Sequence, residues 1–320
     1  MPGMTWHVVT RLATAAVAVA TVVTVSATSA CSASTAVPAP GTTQPPDIVT
    51  APTLIASTAD GNVGYREVGA GSPIMLIMGL GGSMDDWAPA FVDALAAQHT
   101  VIVFDNAGVG DTAALASPLT ISAMAEQASA LITALGLAHP AVLGWSMGGM
   151  IAQALAVLHP RQAGRLVLAA TQAGTGKSLP IPPAAAAAAG RSNPATVLSV
   201  LFPPDQAAAA KAYAEGILEY PGYHAASAAI KTEQNAAIQQ WMAGRDPAGR
   251  RLGQIRIPTL VADGTLDQLD PTPNDRLLAR SVPGASLILY PDAGHAFLFQ
   301  DAGAFVPAVG KFLRKELPRL

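Results

Sequence analysis

The sequence predicts an α/β fold: a mainly parallel open sheet with helices on both faces and a helical insertion after one strand. Three observations carry this. Short, continuous apolar runs recur from about residue 52 onward, the pattern of strands buried on both faces. Segments of helical length separate them, so strand and helix alternate along the chain. One stretch, about 172–253, breaks the alternation and carries no clear strand pattern.

Composition narrows the class. The 320 residues are 51% hydrophobic and only 12% charged, against roughly 25% charged in ordinary soluble domains. The 29 Gly and 26 Pro are spread along the chain, which argues against a membrane bundle, and the apolar content argues against disorder. A formal charge of −3 leaves no basic footprint for nucleic acid. A single cysteine excludes a disulfide framework and a cysteine-based zinc site. No period of 20–50 residues repeats, so a solenoid is excluded.

In chain order, residues 1–30 come first and hold one formal charge, Arg11, followed by an Ala/Val/Thr stretch from Leu12 to Val25. A basic flank, a short apolar segment and small residues describe a secretory signal peptide. Thr14, Thr21 and Thr24 interrupt the apolar core, which falls below the roughly 20 residues needed to span a bilayer. Cys31 follows, in Thr28-Ser29-Ala30-Cys31-Ser32-Ala33. This resembles the lipobox of bacterial lipoproteins, with Thr28 where that pattern prefers Leu. Two outcomes stay open: lipidation at Cys31, or simple cleavage after Ala30. Both predict export, with a membrane partner only through a lipid anchor. Residues 31–51, rich in Ser, Thr and Pro, read as a tether, and the folded domain as 52–320.

Within the domain, strands are expected at 62–68, 74–78, 101–104, 141–143, 165–169, 257–262 and 286–290. Helices are expected at 85–97, 121–135, 147–158, 274–281 and 302–315, with Gly136 as a left-handed stop for the second. Inside 172–253, six alanines (184–189) follow Pro182-Pro183, and 205–218 and 224–243 read as helical. Pro194, Pro203-Pro204 and Pro221-Gly222 punctuate that insertion.

The residues that point to chemistry are Ser146, Asp267 and His295. Gly144-Trp145-Ser146-Met147-Gly148-Gly149 follows an apolar strand and opens a helix, the context that a nucleophile elbow requires. Glycines two before and two after the serine let the backbone turn sharply, and the helix start offers free N–H groups to a developing anion. A serine hydroxyl needs a base, and the base needs an orienting acid. Of six histidines, His7 lies in the signal, while His139 and His159 each precede a proline at the edge of an element. His99 leads into a strand, and His224 sits in the insertion. His295 follows the last strand on a small-residue loop, where open α/β sheets place their sites.

For the acid, Asp263, Asp267 and Asp270 compete at the end of strand 257–262. Asp263 stands at the strand end and Asp270 before Pro271, positions suited to turns, whereas Asp267 lies mid-loop. Asp267 is the first candidate and Asp270 the second. The order Ser, acid, His fits this architecture. Oxyanion donors are expected from the Met147 N–H and, across the Gly-rich loop Met78-Gly79-Leu80-Gly81-Gly82-Ser83, from the Leu80 N–H.

These motifs, with Asp105-Asn106-Ala107-Gly108-Val109-Gly110, Gly264-Thr265-Leu266-Asp267 and Pro271, resemble the α/β-hydrolase superfamily over about 52–318. The resemblance implies that 172–253 is a cap over the active site. Three positions depart from the family pattern: Met78 stands where it usually has His, and Ala107 and Asp111 where it has Arg and Ser. A serine nucleophile implies hydrolysis of an ester-like acyl bond in a small, largely apolar substrate, with no cofactor and no metal. Lactone, C–C or peptide-terminal cleavage and perhydrolysis use the same triad. A non-catalytic surface binding protein is the reading from another class, and the intact triad weighs against it. Trp145, Leu266 and Phe297 beside the triad, and Trp241 in the cap, are the expected pocket residues. Nothing in the sequence bears on oligomeric state.

Overall fold

The computed structural model describes residues 47–191 and 193–314. The signal at 1–30, Cys31 and most of the tether lie outside the described residues. The part of the tether that is described is docked rather than loose. Ile48 is fully buried, and its N–H donates to Asp93 Oδ1 at 2.9 Å. The described segment is thus anchored to the domain through Ile48.

The strands are β1 (Leu54–Thr58), β2 (Gly61–Gly69), β3 (Ser72–Ile77), β4 (His99–Phe104), β5 (Ala141–Trp145), β6 (Arg165–Ala169), β7 (Thr259–Gly264) and β8 (Ser286–Tyr290). They form one sheet in the order β1-β2-β4-β3-β5-β6-β7-β8. β1 with β2 and β2 with β4 pair antiparallel, and every other pairing is parallel. The helices are α1 (Pro89–Ala96), α2 (Ile121–Ala134), α3 (Met147–Leu158), α4 (Pro183–Ala189), α5 (Pro194–Leu201), α6 (Ala207–Ile217), α7 (Ala228–Met242), α8 (Thr272–Ser281), α9 (Phe297–Gln300) and α10 (Ala302–Arg314).

Side chains alternate across the sheet, so each central strand feeds two cores. Met75 and Ile77 of β3 join the face covered by α2, α3 and α8, through residues such as Met124, Ile151 and Leu278. Ile74 and Leu76 join the opposite face, under Phe91 of α1 and Phe305 of α10. Gly136 does end α2's turn with φ +62°.

Among the elements that depart from the sequence reading are β1, β7 and α5. β1 was not expected, because Leu54 and Ile55 are both exposed at the sheet edge and only Ala56 is buried, which is no alternating pattern. β7 begins two residues later than expected, since Pro258 cannot donate to the ladder. That shift draws Asp263 and Gly264 into the strand. α5 lay hidden behind Pro194, read as punctuation although proline is favoured in the first helical turn. Asn193 caps it, its Oδ1 accepting from Ala195 N and Thr196 N.

Candidate active site

The elbow is built by steric necessity. Ser146 holds φ +56°, ψ −122°, a strained backbone for a residue with a Cβ. The strain is held from both sides: Ser146 N donates to Ala169 O of β6, and Gly149 N donates to Ser146 O, each at 2.9 Å. A Cβ on Gly144 would stand 2.2 Å from Gly148 O, and one on Gly148 would stand 1.9 Å from Ile77 O. Both positions are closed to any other residue without movement of backbone. The start of α3 thereby abuts the end of β3, which brings Ser146 beside the oxyanion loop. A Cβ on Gly79 would lie 3.2 Å from Ser146 Cβ.

Asp267 and His295 meet directly. His295 Nδ1 lies 2.6 Å from Asp267 Oδ2, with both side chains buried. The other carboxylate oxygen accepts from Leu269 N at 2.6 Å and Asp270 N at 2.9 Å. Asp267 thus accepts from three donors and favours the tautomer protonated at Nδ1, which leaves Nε2 able to act as a base. The two loops are stitched together: Leu266 N donates to Ala293 O, and Thr265 N to Tyr290 O. Gly264 allows this contact, since a Cβ there would stand 2.2 Å from Ala293 O.

Among the described residues, neither Leu80 N–H nor Met147 N–H is spent on another backbone or side-chain partner. The loop carrying Leu80 is fixed on several sides. Asn106 Nδ2 donates to Met78 O at 2.9 Å, Met84 N donates to Asp105 Oδ1 at 2.7 Å, and Ser83 and Asp86 form a capping box. Three cap tyrosines bolt onto the segment that follows. Tyr213 and Tyr220 hydroxyls donate to Asp86 O and Trp87 O, and the Tyr223 hydroxyl donates to Asp86 Oδ1. Burial pushes the Asp86 carboxyl up to about 6, against the hydrogen bonds from Ser83 and Tyr223.

Of the expected pocket residues, only Leu266 presents itself to solvent, at 48% exposure beside Asp267. Phe297 is a core residue: its ring is fully buried, stacked on Tyr290 and edge-on to Phe305. Trp241 is also fully buried, and its Nε1 donates to Gln172 O where α7 enters the core. Both are set aside as substrate contacts, because aromatic bulk at these positions fills the interior. Trp145 has a different task from the one expected. Its Nε1 donates to His295 O at 3.0 Å and its ring packs 5.7 Å from the imidazole, so it props the histidine loop.

Asp270, the second candidate for the acid, points away from His295 into a group that sequence reading missed. Asp263, Asp270 and Asp275 are buried with carboxylate oxygens within 4.8 Å of one another. Three carboxylates so placed are the group among the described residues that could hold a hard cation. Their burial favours the protonated form at each carboxyl. Burial pushes Asp275 up to about 8, helped by the charge of Asp267, and drives Asp263 and Asp270 well above the carboxylate range. The only sequence signal was the density of Asp around 263–275.

This group makes a prediction about stability. A raised folded-state pKa contributes stability that is fully present below the unfolded value near 3.8. It is lost as pH rises toward about 8. Asp275→Asn, which stays neutral, is expected to flatten the fall of Tm between pH 5 and 8.5 and to melt several degrees higher than the parent at pH 8.5. Thermal melts across that range check it, and parallel curves for the two proteins would contradict it.

A family model described as "Alpha/beta hydrolase family" matches residues 74–308. A poly(3-hydroxyalkanoate) depolymerase of Ectopseudomonas oleovorans is 31% identical over 255 residues, covering 78% of this chain and 86% of its own. A 2-hydroxymuconate semialdehyde hydrolase of Pseudomonas sp. (strain CF600) is 31% identical over 260 residues, covering 78% and 89%. Among solved structures, an alpha/beta hydrolase fold protein from Chitinophaga pinensis superposes with a TM-score of 0.73 at 27% identity, covering 84% of this chain and 100% of that one.

Proposed function

The chain belongs to the alpha/beta hydrolase family and is an enzyme with hydrolytic activity, and from that premise we propose that it cleaves an ester-like acyl bond of a small, largely apolar substrate through an acyl-enzyme on Ser146. The observation that carries the proposal is the Asp267–His295 pair at 2.6 Å, in a fold that sets Ser146 on a strained elbow beside two unspent N–H donors.

In the proposed cycle, Ser146 Oγ attacks the carbonyl carbon while His295 Nε2 takes its proton. Asp267 keeps the ring oriented and stabilises the imidazolium. Leu80 and Met147 N–H groups donate to the oxyanion of the tetrahedral intermediate. The intermediate collapses, His295 returns the proton to the leaving alcohol, and water repeats the sequence on the acyl-enzyme to release the acid.

The substrate is tested with a panel of short p-nitrophenyl esters, lactones, aminoacyl amides and vinylogous diketones. Release of p-nitrophenol from acetyl and butyryl esters at rates far above background is expected. Turnover confined to the diketones would move the assignment to C–C hydrolysis. Failure on every acyl substrate would contradict the proposal.

We also propose that the enzyme is exported, on the residue pattern of 1–31. Mass spectrometry of the N-terminus of the protein from its native host is expected to show a mature chain starting at Cys31, with or without lipid. Retention of residues 1–30 would contradict export.

A further inference from the structure

Met78, at the entry to the oxyanion loop, is buried and apolar, so its side chain lends that loop no hydrogen bond. The loop's Gly81 is instead gripped from the cap. Gly81 N–H donates to Gln234 Oε1 at 2.8 Å, and Ala226 N–H donates to Gly81 O at 3.1 Å. Both polar atoms of the Gly81 backbone are therefore held by one stretch of the insertion, 226–234. Lys231 closes over the same residue, its Cε lying 2.9 Å from where a Gly81 Cβ would stand.

Gln234 is itself fully buried, and its Nε2 has no hydrogen-bond partner among the described residues. A buried donor left unpaired is unfavourable, and an apolar side chain here would remove that donor only by stranding the buried Gly81 N–H. The bond to Gly81 is what the amide achieves there. The helix presenting it is rigid where it matters. α7 is anchored beyond Gln234 by Ile238 and Trp241 in the core, so the amide sits at the point where the cap enters the body of the enzyme.

We infer that Gln234 is a positioning residue through which the cap holds the oxyanion loop in its working shape, so that docking of the cap completes the site. The inference rests on the serine-hydrolase reading above. Gln234 fixes the Leu80–Gly81 peptide, which sets the backbone of Leu80 and hence the aim of its N–H. Small errors of aim at such a donor cost rate rather than binding, because the donor is needed where charge develops. The cap is thus part of the catalytic framework as well as a cover.

The experiment compares the full-length mature enzyme with Gln234→Met, which keeps the bulk and removes the acceptor, and Gln234→Glu, which keeps an acceptor oxygen. On a p-nitrophenyl ester, Gln234→Met is expected to lower kcat by about 10–100-fold with KM changed less than about threefold. An aryl trifluoromethyl ketone, which forms an oxyanion on the serine, is expected to lose affinity by the same factor as kcat/KM. Gln234→Glu is expected to recover most of the rate. If Gln234→Met does not hold its fold, Gln234→Asn, which withdraws the amide by one carbon, is read by the same criteria. A variant with kcat within twofold of the parent overturns the inference, as does a loss confined to KM or an unchanged ketone affinity. A parent enzyme inactive on every acyl substrate overturns the serine-hydrolase reading itself, which the active parent with an equally active variant does not.

Discussion

Ser146→Ala is expected to remove about 10⁶-fold from kcat while leaving the fold and substrate affinity nearly unchanged. The residue at the tip of the elbow is held by backbone bonds, Ser146 N to Ala169 O and Gly149 N to Ser146 O, neither of which needs its hydroxyl. Alanine also relieves nothing of the positive φ, so the turn persists and only the nucleophile is lost. Asp267→Asn belongs with it and is expected to cost about 10⁴-fold. The carboxylate accepts from three donors: His295 Nδ1, Leu269 N and Asp270 N. An amide in its place can turn its oxygen to the backbone or to the histidine but not to both, and its NH₂ stabilises the wrong imidazole tautomer. The double variant should be scarcely slower than Ser146→Ala alone, because the groups act as a unit. Additive losses in steady-state assays would argue that Asp267 works outside the proposed proton path.

Gly148→Ala is the largest stability effect expected. Its Cβ would stand 1.9 Å from Ile77 O and 2.9 Å from Met78 O, all backbone at the end of β3. A flexible side chain could move aside, but a strand carbonyl cannot do so without shifting the oxyanion loop. The cost is expected at about 4 kcal/mol or more, a drop in Tm of roughly 10 °C. Gly253→Ala is the control, since nothing lies within 4 Å of a Cβ there. It should change stability by less than about 0.5 kcal/mol. Equal melting of the two variants would contradict the packing described for the elbow.

The legible part of the molecule was the part governed by local rules. Buried parallel strands leave continuous apolar runs, and a strand-to-helix turn of such sharpness demands Gly144 and Gly148, so the sheet and Ser146 could be read directly. The histidine followed from its loop after the last strand. Spacing left Asp267 and Asp270 both open, and the structure places Asp267 against His295 and Asp270 among buried carboxylates. What stayed illegible depends on contacts across long separations. Gln234 meets Gly81 from 153 positions away, and nothing in the polar pattern of α7 marks that side chain as buried. Phe297 was read as pocket by proximity to the triad in sequence and Trp241 by its place in the insertion, yet both turn into the interior. Charge alone was no guide to the acid group at Asp263, Asp270 and Asp275, because aspartates in a loop are ordinarily solvated.

The central claim is that Ser146 is the nucleophile of this enzyme, and reaction with a fluorophosphonate tests it most directly. One phosphonyl group per chain should be incorporated as ester hydrolysis falls to zero, and peptide mass spectrometry should locate it on Ser146, with no incorporation in His295→Ala at matched times. An enzyme that hydrolyses esters yet carries the adduct on another residue, or remains active and unmodified, would contradict the account.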